Sequence, residues 1–279
     1  MADELGTYAE NTWCPGCGNF GILTAFKKAV LKLEERGTPR QHIVMAAGIG
    51  QHAKIFDYLA LSGFYSIHGR ALATAQGMKL ANPRMKVVVF VGDGDAYGEG
   101  IAHLMFAAKR NSDITVIVHN NGVYALTTGQ YAPTSAKGFK GPSTPEGSVE
   151  EPFNPLALVI AAGAGFVARG YPVRMDHLVD LFVRAIMHEG FSLVDVLQPC
   201  VTFNNTFALY NEKALELDVI PGTYEDSLAA ARRTDKALIG VFREVQGESF
   251  HGRMLGDRSP VDTRRTPEER QKAIAAALG

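Results

Sequence analysis

A chain of 279 residues is long enough for one large domain with an ample core, and it carries 28 Lys and Arg against 29 Asp and Glu. Its net charge of -1 gives no reason to expect nucleic acid or an anionic membrane surface as a partner. No run of about 18 apolar residues occurs, and residues 1–13 lack the basic-then-apolar form of a signal peptide. The three cysteines, Cys14, Cys17 and Cys200, do not suit a disulfide framework, so a cytoplasmic protein is expected.

Short apolar runs alternate with amphipathic segments up to Asn204. The pattern predicts strands at residues 43–47, 87–91, 114–118, 166–168 and 192–197, a loop or short strand at 65–70, and helices at 20–35, 53–61, 71–80, 98–110, 155–162 and 175–189. An order of strand, helix, strand predicts parallel strands with right-handed connections, and continuous apolar runs indicate strands that are covered on both faces. The sequence therefore predicts an α/β domain with a mainly parallel sheet and helices on both faces.

Two segments depart from this alternation. Residues 129–152 contain many Gly, Pro, Ser and Thr, and a loop of this length is typical of a lid or an interface segment. Beyond Asn204 the chain is more charged, with weak helices predicted at 226–233 and 267–277. We therefore divide the chain into a cofactor-binding domain, residues 1–205, and a C-terminal extension, residues 206–279, that is expected to wrap around the domain or a partner.

Two polar loops follow neighbouring predicted strands. Residues 92–95 read GDGD directly after one strand, and residues 120–122 read NNG after the next. Because the carboxyl ends of parallel strands open at one edge of a sheet, the loops are expected to meet there. The carboxylate of Asp93, the amide oxygen of Asn121 and the backbone carbonyl of Val123 are ligands that suit Mg²⁺ bound to a diphosphate.

The residues around Asp93 fit the same interpretation. Gly92 and Gly94 let the backbone come close to a ligand, and the amides of Gly94 and Asp95 at the start of the next helix favour phosphate oxygens. A tight turn after a strand would use the same residues, so GDGD alone decides little. Its occurrence together with the Asn-Asn loop indicates a cofactor site.

The pair Cys14-Pro-Gly-Cys17 has a spacing that suits two thiolates at one metal site, a zinc knuckle or a thioredoxin-like redox pair. A thioredoxin-like pair should follow an apolar strand, and residues 1–13 contain none. Three thiols at the ends of predicted elements favour a cluster site instead.

At this point the chain resembles the β subunits of the 2-oxoacid:ferredoxin oxidoreductases. The motifs WCPGCG, GIG, HGRA, GDGD, NNGVYALTTGQ and QPCVTFN occur in the expected order over residues 12–205. The resemblance implies a thiamine-diphosphate-binding fold that holds the diphosphate half of the cofactor and Mg²⁺. It also implies a [4Fe-4S] cluster, for which Cys14, Cys17 and Cys200 match three of four cysteines.

The fourth cysteine of the family belongs directly after GIG, where this chain has Gln51, followed by His52. Three alternatives follow: His52 as the fourth ligand, an iron that is open or bound to water, and a site without an intact cluster.

The resemblance also implies catalytic roles for three polar residues. His68 and Arg70 lie in the HGRA segment, which in the family lies near the cofactor and the partner subunit. Without the resemblance they would be interpreted as surface polar groups. Thr128 stands where the family more usually has lysine, in a loop that borders the substrate, so this departure bears on substrate selection.

The implied function is the reversible, CoA-dependent oxidative decarboxylation of a 2-oxoacid, with 2-oxoglutarate favoured over pyruvate and electrons passed through the cluster to ferredoxin. Because one such chain accounts for half of a thiamine site, an α subunit is expected to bring the pyrimidine domain and most of the coenzyme A site, in an αβ or (αβ)₂ assembly. The alternatives are a subunit of a non-redox thiamine-diphosphate decarboxylase or carboligase, and a cluster-bearing electron-transfer subunit.

Overall fold

An eight-stranded sheet with the order β2-β1-β3-β4-β8-β7-β10-β9 forms the centre of the protein. It is seen in a computed structural model that describes residues 5–263 and 265–278. The strands are β1 (Ile43–Ala47), β2 (Ser62–Tyr65), β3 (Lys86–Gly92), β4 (Thr115–Asn120), β5 (Val123–Tyr124), β6 (Gln130–Tyr131), β7 (Phe166–Gly170), β8 (Ser192–Leu197), β9 (Ala214–Glu216) and β10 (Ala237–Glu244). The helices are α1 (Asn19–Glu35), α2 (Ala71–Ala81), α3 (Ile101–Arg110), α4 (Pro155–Ala161), α5 (Met175–Met187), α6 (Phe207–Lys213), α7 (Tyr224–Ala231), α8 (Phe250–Leu255) and α9 (Pro267–Leu278).

Six neighbouring strands of this sheet, β2, β1, β3, β4, β8 and β7, all pair in parallel, which confirms the mainly parallel sheet. From β1 the chain moves outward to β2 on one side and then continues through β3 and β4 on the other. Such a reversal leaves a crevice at the carboxyl ends of the neighbouring strands, which is where ligands bind in open α/β folds. The loops after β1, β3 and β4 therefore surround one place.

Alternation along β3 explains why helices cover both faces of the sheet. Val88 and Phe90 belong to a core cluster with α1 and α5, whereas Val87, Val89 and Val91 belong to a second cluster with α2, α3 and α4. Because successive side chains of a strand point to opposite faces, a continuous apolar run fills both cores. The prediction of helices on both faces is confirmed.

The structure differs from the sequence-based prediction in several places before Asn204, and the short antiparallel pair β5-β6 is one that the sequence does not predict. The segment predicted as a helix at 53–61 is a 3₁₀ helix, Gln51–Tyr58, and the edge strand β2 comes before the predicted position. The helix predicted from residue 98 begins at Ile101, after a π-helical turn at Gly94–Glu99. Such turns occur most often at functional sites, and this one follows Asp93 directly.

The chain beyond Asn204 adds β9 and β10 to the sheet, and β10 pairs antiparallel with β7. The sequence predicts no strand here, although the two weak helices are present as α7 and α9. Contact of this segment with a partner subunit, and the boundary at residue 205, stay predictions. Among the helices of the described residues, none has the length and apolar character needed to cross a membrane.

Candidate functional site

A cavity of about 230 Å³ opens between the loops that follow β1, β3 and β4, and we call it the cofactor cavity because the sequence predicts a cofactor at these loops. The GDGD loop and the Asn-Asn loop therefore meet, as the sequence predicts. The lining consists of Ile49, Gly50, Gln51, His52, His68, Gly92, Asp93, Gly94, Asp95, Asn121, Val123, Tyr124, Ala125, Leu126 and Thr127. Neither lysine nor arginine is among these residues.

Asp93 lies buried at the carboxyl end of β3. The hydroxyl of Thr134 lies 2.6 Å from its Oδ2 atom and 2.8 Å from Oδ1 of Asn120. Burial raises the pKa of Asp93 to about 7, because the charged form loses its hydration, and the Asp195 carboxylate adds to this effect. No cation of the described chain is among the main influences on the pKa of this carboxylate. A divalent cation would supply the missing positive charge.

Hydrogen bonds on both sides fix the Asn121 loop. Oδ1 of Asn121 accepts a hydrogen bond of 3.0 Å from the amide of Val123, and Nδ2 donates to Oε1 of Gln198 at 3.1 Å. The carbonyl of Asn121 accepts from Nδ2 of Asn204 at 2.8 Å. The amide oxygen of Asn121 is thus oriented by its own loop, with one lone pair free for a metal.

Gly94 makes room for the ring of Tyr124. A Cβ atom at this position would lie 2.1 Å from Cε1 of Tyr124, which lines the cavity. Gly94→Ala is therefore expected to displace the ring and to lower the free energy of unfolding by about 1–3 kcal/mol. Urea unfolding tests this, with cofactor affinity as the second measurement.

Gly77→Ala is the matched control for this prediction. Gly77 is exposed within α2, and a Cβ atom there would meet nothing within 4 Å. Alanine at such a position reduces the entropy of the unfolded chain, so the free energy of unfolding is expected to rise by about 0.4–1 kcal/mol. Equal effects of the two substitutions would contradict the tight fit at Gly94.

Asp95 uses its carboxylate to join two loops. The carboxylate accepts hydrogen bonds from the amides of Gly69 at 2.5 Å and Ile49 at 3.2 Å, and it lies 3.4 Å from Nε2 of His52. Burial alone would raise the pKa of Asp95, but the contacts with His52 and His68 lower it to about 2. Asp95 is therefore a fixed negative charge beside the cavity. A phosphate contact through its backbone amide stays a prediction.

His68 lies between two carboxylates at the edge of the cavity. Its Nδ1 atom is 3.2 Å from Oδ1 of Asp95, and its Nε2 atom is 2.9 Å from Oε2 of Glu99. The contact with Asp95 raises the pKa of His68 above its usual value, although partial burial opposes the shift. Protonated His68 therefore stabilises the fold.

This raised pKa gives His68 a pH-dependent contribution to stability. The contribution is fully present below the unfolded pKa of about 6.5 and is lost as the pH rises through the higher folded pKa. His68→Gln should therefore lower the melting temperature more at about pH 6 than at about pH 9. Thermal melts across this range test it, with His42→Gln at an exposed position as the control. A pH-independent deficit would contradict the assignment.

The other two residues predicted as catalytic lie farther from the cavity. Arg70 is exposed, and its guanidinium donates to the carbonyls of Gly69 and Glu99, each at 3.2 Å. Thr128 is exposed with φ of 78°, a strained value for a β-branched residue, and its neighbour Thr127 lines the cavity instead. Catalytic roles of Arg70 and Thr128 stay predictions.

A second pocket, of about 50 Å³, brings the three cysteines together beside the cofactor cavity. Cys14 is exposed, Cys17 is half-buried and Cys200 is buried. Burial raises the pKa of Cys17 to about 11, and the nearby thiols of Cys200 and Cys14 contribute. Oγ1 of Thr202 lies 3.3 Å from Sγ of Cys14, and Nε2 of Gln198 lies 3.6 Å from Sγ of Cys17.

The structure does not bring His52 to the cysteine pocket. His52 is 6% exposed, lines the cofactor cavity, and packs beside Asp95 and the ring of His119. Gln51 lines both pockets, and its carbonyl accepts a hydrogen bond of 2.7 Å from Nε1 of Trp13. The position of His52 therefore gives no support to its assignment as the fourth cluster ligand.

Within the described part of the chain, no group of three or more His, Cys, Asp or Glu side chains is arranged to hold a single metal ion. The Mg²⁺ ligands suggested above include one carboxylate beside an amide and a carbonyl, and a four-iron cluster spreads its thiolates over separate iron atoms. Three thiols at one pocket would fit such a cluster, and the fourth iron would lack a cysteine.

Residues around the cavity that the sequence did not single out are Asn120, Tyr124, Thr134 and Gln198. The hydroxyl of Tyr124 lies 3.2 Å from Oε2 of Glu99, and Gln198 holds Asn121 as described. Asn120 ends β4, and Gln198 directly follows β8. Their positions at strand ends were the signal in the sequence that could have indicated a role at the site. Thr134 lies within a loop of low periodicity, and the sequence there contains no signal of a role at the site.

Comparison with known proteins agrees with this geometry. Residues 41–196 match the family model described as thiamine pyrophosphate enzyme, C-terminal TPP binding domain. The 2-oxoacid:ferredoxin oxidoreductase subunit beta of Saccharolobus solfataricus is 41% identical over 268 residues, which cover 90% of this chain and 87% of that protein. The 2-oxoglutarate synthase subunit KorB of Archaeoglobus fulgidus is 44% identical over 257 residues, which cover 89% of this chain and 91% of that protein.

A solved structure is similar over nearly the whole chain. The 2-oxoglutarate:ferredoxin oxidoreductase from Magnetococcus marinus, with 2-oxoglutarate, coenzyme A and succinyl-CoA bound, matches with a TM-score of 0.89 and 30% identity, covering 99% of this chain and 96% of that chain. The thiamine-diphosphate-binding α/β fold is thereby confirmed. From the shared sequence, the family model and the shared fold, we conclude that this chain belongs to the β subunits of the 2-oxoacid:ferredoxin oxidoreductases, enzymes that act with a partner subunit.

Proposed function

We propose that this chain forms the diphosphate half of a thiamine-diphosphate site and passes electrons from that site through an iron–sulfur cluster to ferredoxin. The observation that carries the proposal is the thin wall between the two pockets. Gln51, Asn121 and Ala125 line both the cofactor cavity and the cysteine pocket. A site where a 2-oxoacid is decarboxylated would thus lie directly beside a site that can accept electrons.

Asp93, Asn121 and the carbonyl of Val123 would hold Mg²⁺ and, through it, the diphosphate. The fit rests on the buried carboxylate of Asp93, whose pKa has no cation of the described chain among its main influences, and on the position of Asp93 and the Asn121 loop at the carboxyl ends of β3 and β4. When bound, thiamine diphosphate supplies the carbon nucleophile that adds to the keto group of the substrate. The chain itself binds and orients the diphosphate, and Gly92 makes room for the ring of His52, because a Cβ atom there would lie 2.8 Å from Nδ1 of His52.

Cys14, Cys17 and Cys200 would hold a [4Fe-4S] cluster with one iron left without a protein thiolate. Gln51 stands at the position of the missing cysteine and lines the pocket. Its side-chain amide is a weak ligand for iron. The side chains of Thr202 and Gln198 point donors at two of the sulfur atoms, and such hydrogen bonds tune the reduction potential of clusters.

The substrate is proposed to be a 2-oxoacid, with 2-oxoglutarate favoured over pyruvate. Support comes from the relatives named as 2-oxoglutarate enzymes and from the similar structure with 2-oxoglutarate, coenzyme A and succinyl-CoA bound. Because the cavity of this chain has histidines but no lysine or arginine, the cations that bind the substrate carboxylates would come mainly from the α subunit. That subunit would also supply the pyrimidine domain and most of the coenzyme A site.

The net reaction converts a 2-oxoacid anion and coenzyme A into acyl-CoA, CO₂, one proton and two electrons. The carbon–carbon bond to the carboxylate breaks, the thiol sulfur forms the thioester, and two ferredoxin molecules each take one electron. Since ferredoxin is a low-potential acceptor, the same site would carry the reverse reaction. An αβ or (αβ)₂ assembly and a cytoplasmic location complete the proposal.

Purification of this chain together with its α subunit, followed by assay of ferredoxin reduction, tests the proposal. We expect reduction that requires coenzyme A, with a higher kcat/KM for 2-oxoglutarate than for pyruvate. Reduction without coenzyme A would contradict the proposed reaction, and a preference for pyruvate would contradict the proposed substrate.

A further inference from the structure

Thr134 connects the two loops to which the metal ligands belong. Its hydroxyl lies 2.6 Å from Oδ2 of Asp93, which follows β3, and 2.8 Å from Oδ1 of Asn120, which ends β4 and precedes Asn121. Thr134 itself belongs to the irregular loop after β6, which the sequence predicts to be a lid or interface segment. One hydroxyl from a third segment thus sets the spacing between the loops.

The carboxylate of Asp195 fixes the orientation of the Asn120 side-chain amide. The carboxylate of Asp195 accepts hydrogen bonds from Nδ2 of Asn120 at 3.0 Å, from the hydroxyl of Tyr97 at 2.8 Å and from Nε of Arg169 at 2.9 Å. Because a carboxylate only accepts here, Nδ2 of Asn120 must face Asp195 and Oδ1 must face Thr134.

The resulting cluster contains more acceptors than donors. A hydroxyl carries one proton, so Thr134 donates to one of its two oxygen neighbours and only lies against the other. Within the described residues, Thr134 is the one side chain that hydrogen-bonds Asp93. The backbone amides of Asp93 and Gly94 also hydrogen-bond the Asp93 carboxylate, and a site with this many acceptor oxygens is suited to lie beside a cation.

The backbone that carries Thr134 is held in place before any ligand binds. The hydroxyl of Ser135 donates to the carbonyl of Gly122 at 2.6 Å and accepts from the amide of Ala132 at 2.7 Å. The carbonyl of Pro133 accepts from the amide of Phe153 at 2.7 Å. Residues 132–135 therefore lie fixed against the Asn121 loop, and the position of the Thr134 hydroxyl is determined by this packing.

We propose that Thr134 is a positioning residue for the metal: it holds Oδ2 of Asp93 so that the other carboxylate oxygen is presented to Mg²⁺ at a fixed distance from Asn121. This inference rests on the proposed function, because it assumes a Mg²⁺-diphosphate at Asp93 and Asn121. Hydrogen-bond partners of metal ligands typically contribute about 10- to 100-fold to metal affinity. The irregular loop after β6 thus serves the metal site as well as any interface.

The test uses the complex of this chain with its α subunit and measures Mg²⁺ affinity by calorimetry at saturating thiamine diphosphate. Thr134→Val keeps the shape and removes the hydroxyl, and we expect it to weaken Mg²⁺ binding by about 10- to 100-fold. Thr134→Ser keeps the hydroxyl and should restore the affinity to within about threefold of wild type. Thr144→Val, which removes a hydroxyl that bonds within the same loop at 3.0 Å, is the control and should leave the affinity unchanged.

A kinetic readout separates positioning from general damage. In Thr134→Val the Mg²⁺ concentration for half-maximal activity should rise, while kcat at saturating Mg²⁺ returns close to the wild-type value. Equal Mg²⁺ affinity in wild type and Thr134→Val would overturn this inference alone. Failure of Thr134→Ser to restore affinity would also overturn it, because the hydroxyl would not be the cause. A wild-type complex that binds no Mg²⁺ would overturn the proposed function and this inference with it.

Discussion

Replacing Asp93 with Asn will abolish Mg²⁺-dependent binding of thiamine diphosphate. The substitution keeps the shape of the buried side chain and removes the charge that a divalent cation needs, so the affinity should fall by more than the roughly 100-fold seen for hydrogen-bond partners of metal ligands. Calorimetry on the complex with the α subunit measures this. Asp262→Asn, at an exposed carboxylate that pairs with Arg84, is the matched control and should bind normally.

The same substitution should not destabilise the metal-free chain. Burial raises the pKa of Asp93 to about 7, so above this pH the ionised carboxylate carries a desolvation cost, and no cation of the described chain is among the main influences on it. Asp93→Asn removes that cost, and its melting temperature without Mg²⁺ should equal or exceed that of wild type at about pH 8. A variant that loses the cofactor only because it unfolds would contradict this account of Asp93.

Replacing Cys17 with Ser will remove the iron and ferredoxin reduction while thiamine diphosphate binding remains. Cys17 lies near the other two thiols at the pocket, and two thiolates are insufficient for a four-iron cluster. We expect ferredoxin reduction to fall by at least about 100-fold, with loss of iron and sulfide by chemical analysis.

Thr202→Val is the control for Cys17→Ser, because it changes a contact to the thiols without removing one. It removes the hydroxyl 3.3 Å from Sγ of Cys14 and leaves all three thiols in place. The iron content should therefore stay at the wild-type level, and the reduction potential should shift instead. Full iron content in Cys17→Ser would show that the three cysteines do not hold a cluster.

The parts of the fold that the sequence predicts well are those decided by local pattern. The apolar runs that became β1, β3, β4 and β8 are long, lack Pro and Gly, and are buried on both faces. Strand β10 was missed although its middle, from Leu238 to Phe242, is buried. Gly240 adopts φ of 123° there and the register shifts after Val241, so the run lacks the regularity by which a strand is recognised.

The directions of adjacent side chains were not accessible from sequence. Gly50 has φ of 149°, and after it the 3₁₀ turn sends Gln51 to both pockets and His52 to the cofactor cavity. The family resemblance puts the fourth cysteine at the position of Gln51, and His52 became a candidate cluster ligand because it follows that position. The carboxylate of Asp95 explains the difference, because it lies 3.4 Å from Nε2 of His52.

Long-range contacts account for the remaining surprises at the site. Thr134 reaches Asp93 across 41 positions of sequence, and Gln198 reaches Asn121 across 77. Such pairs depend on the order of strands in the sheet, which motifs do not contain. The loops proposed to hold the metal were predictable because each follows its own strand, whereas the residues that fix these loops come from other parts of the chain.

Under the proposed function, electrons from decarboxylation leave through this chain to ferredoxin. The most direct measurement supplies the purified complex with 2-oxoglutarate, coenzyme A, thiamine diphosphate, Mg²⁺ and oxidised ferredoxin, and counts CO₂ against reduced ferredoxin. Two reduced ferredoxin molecules are expected for each CO₂. Release of CO₂ without ferredoxin reduction would contradict the proposed function and would indicate a non-redox thiamine-diphosphate decarboxylase.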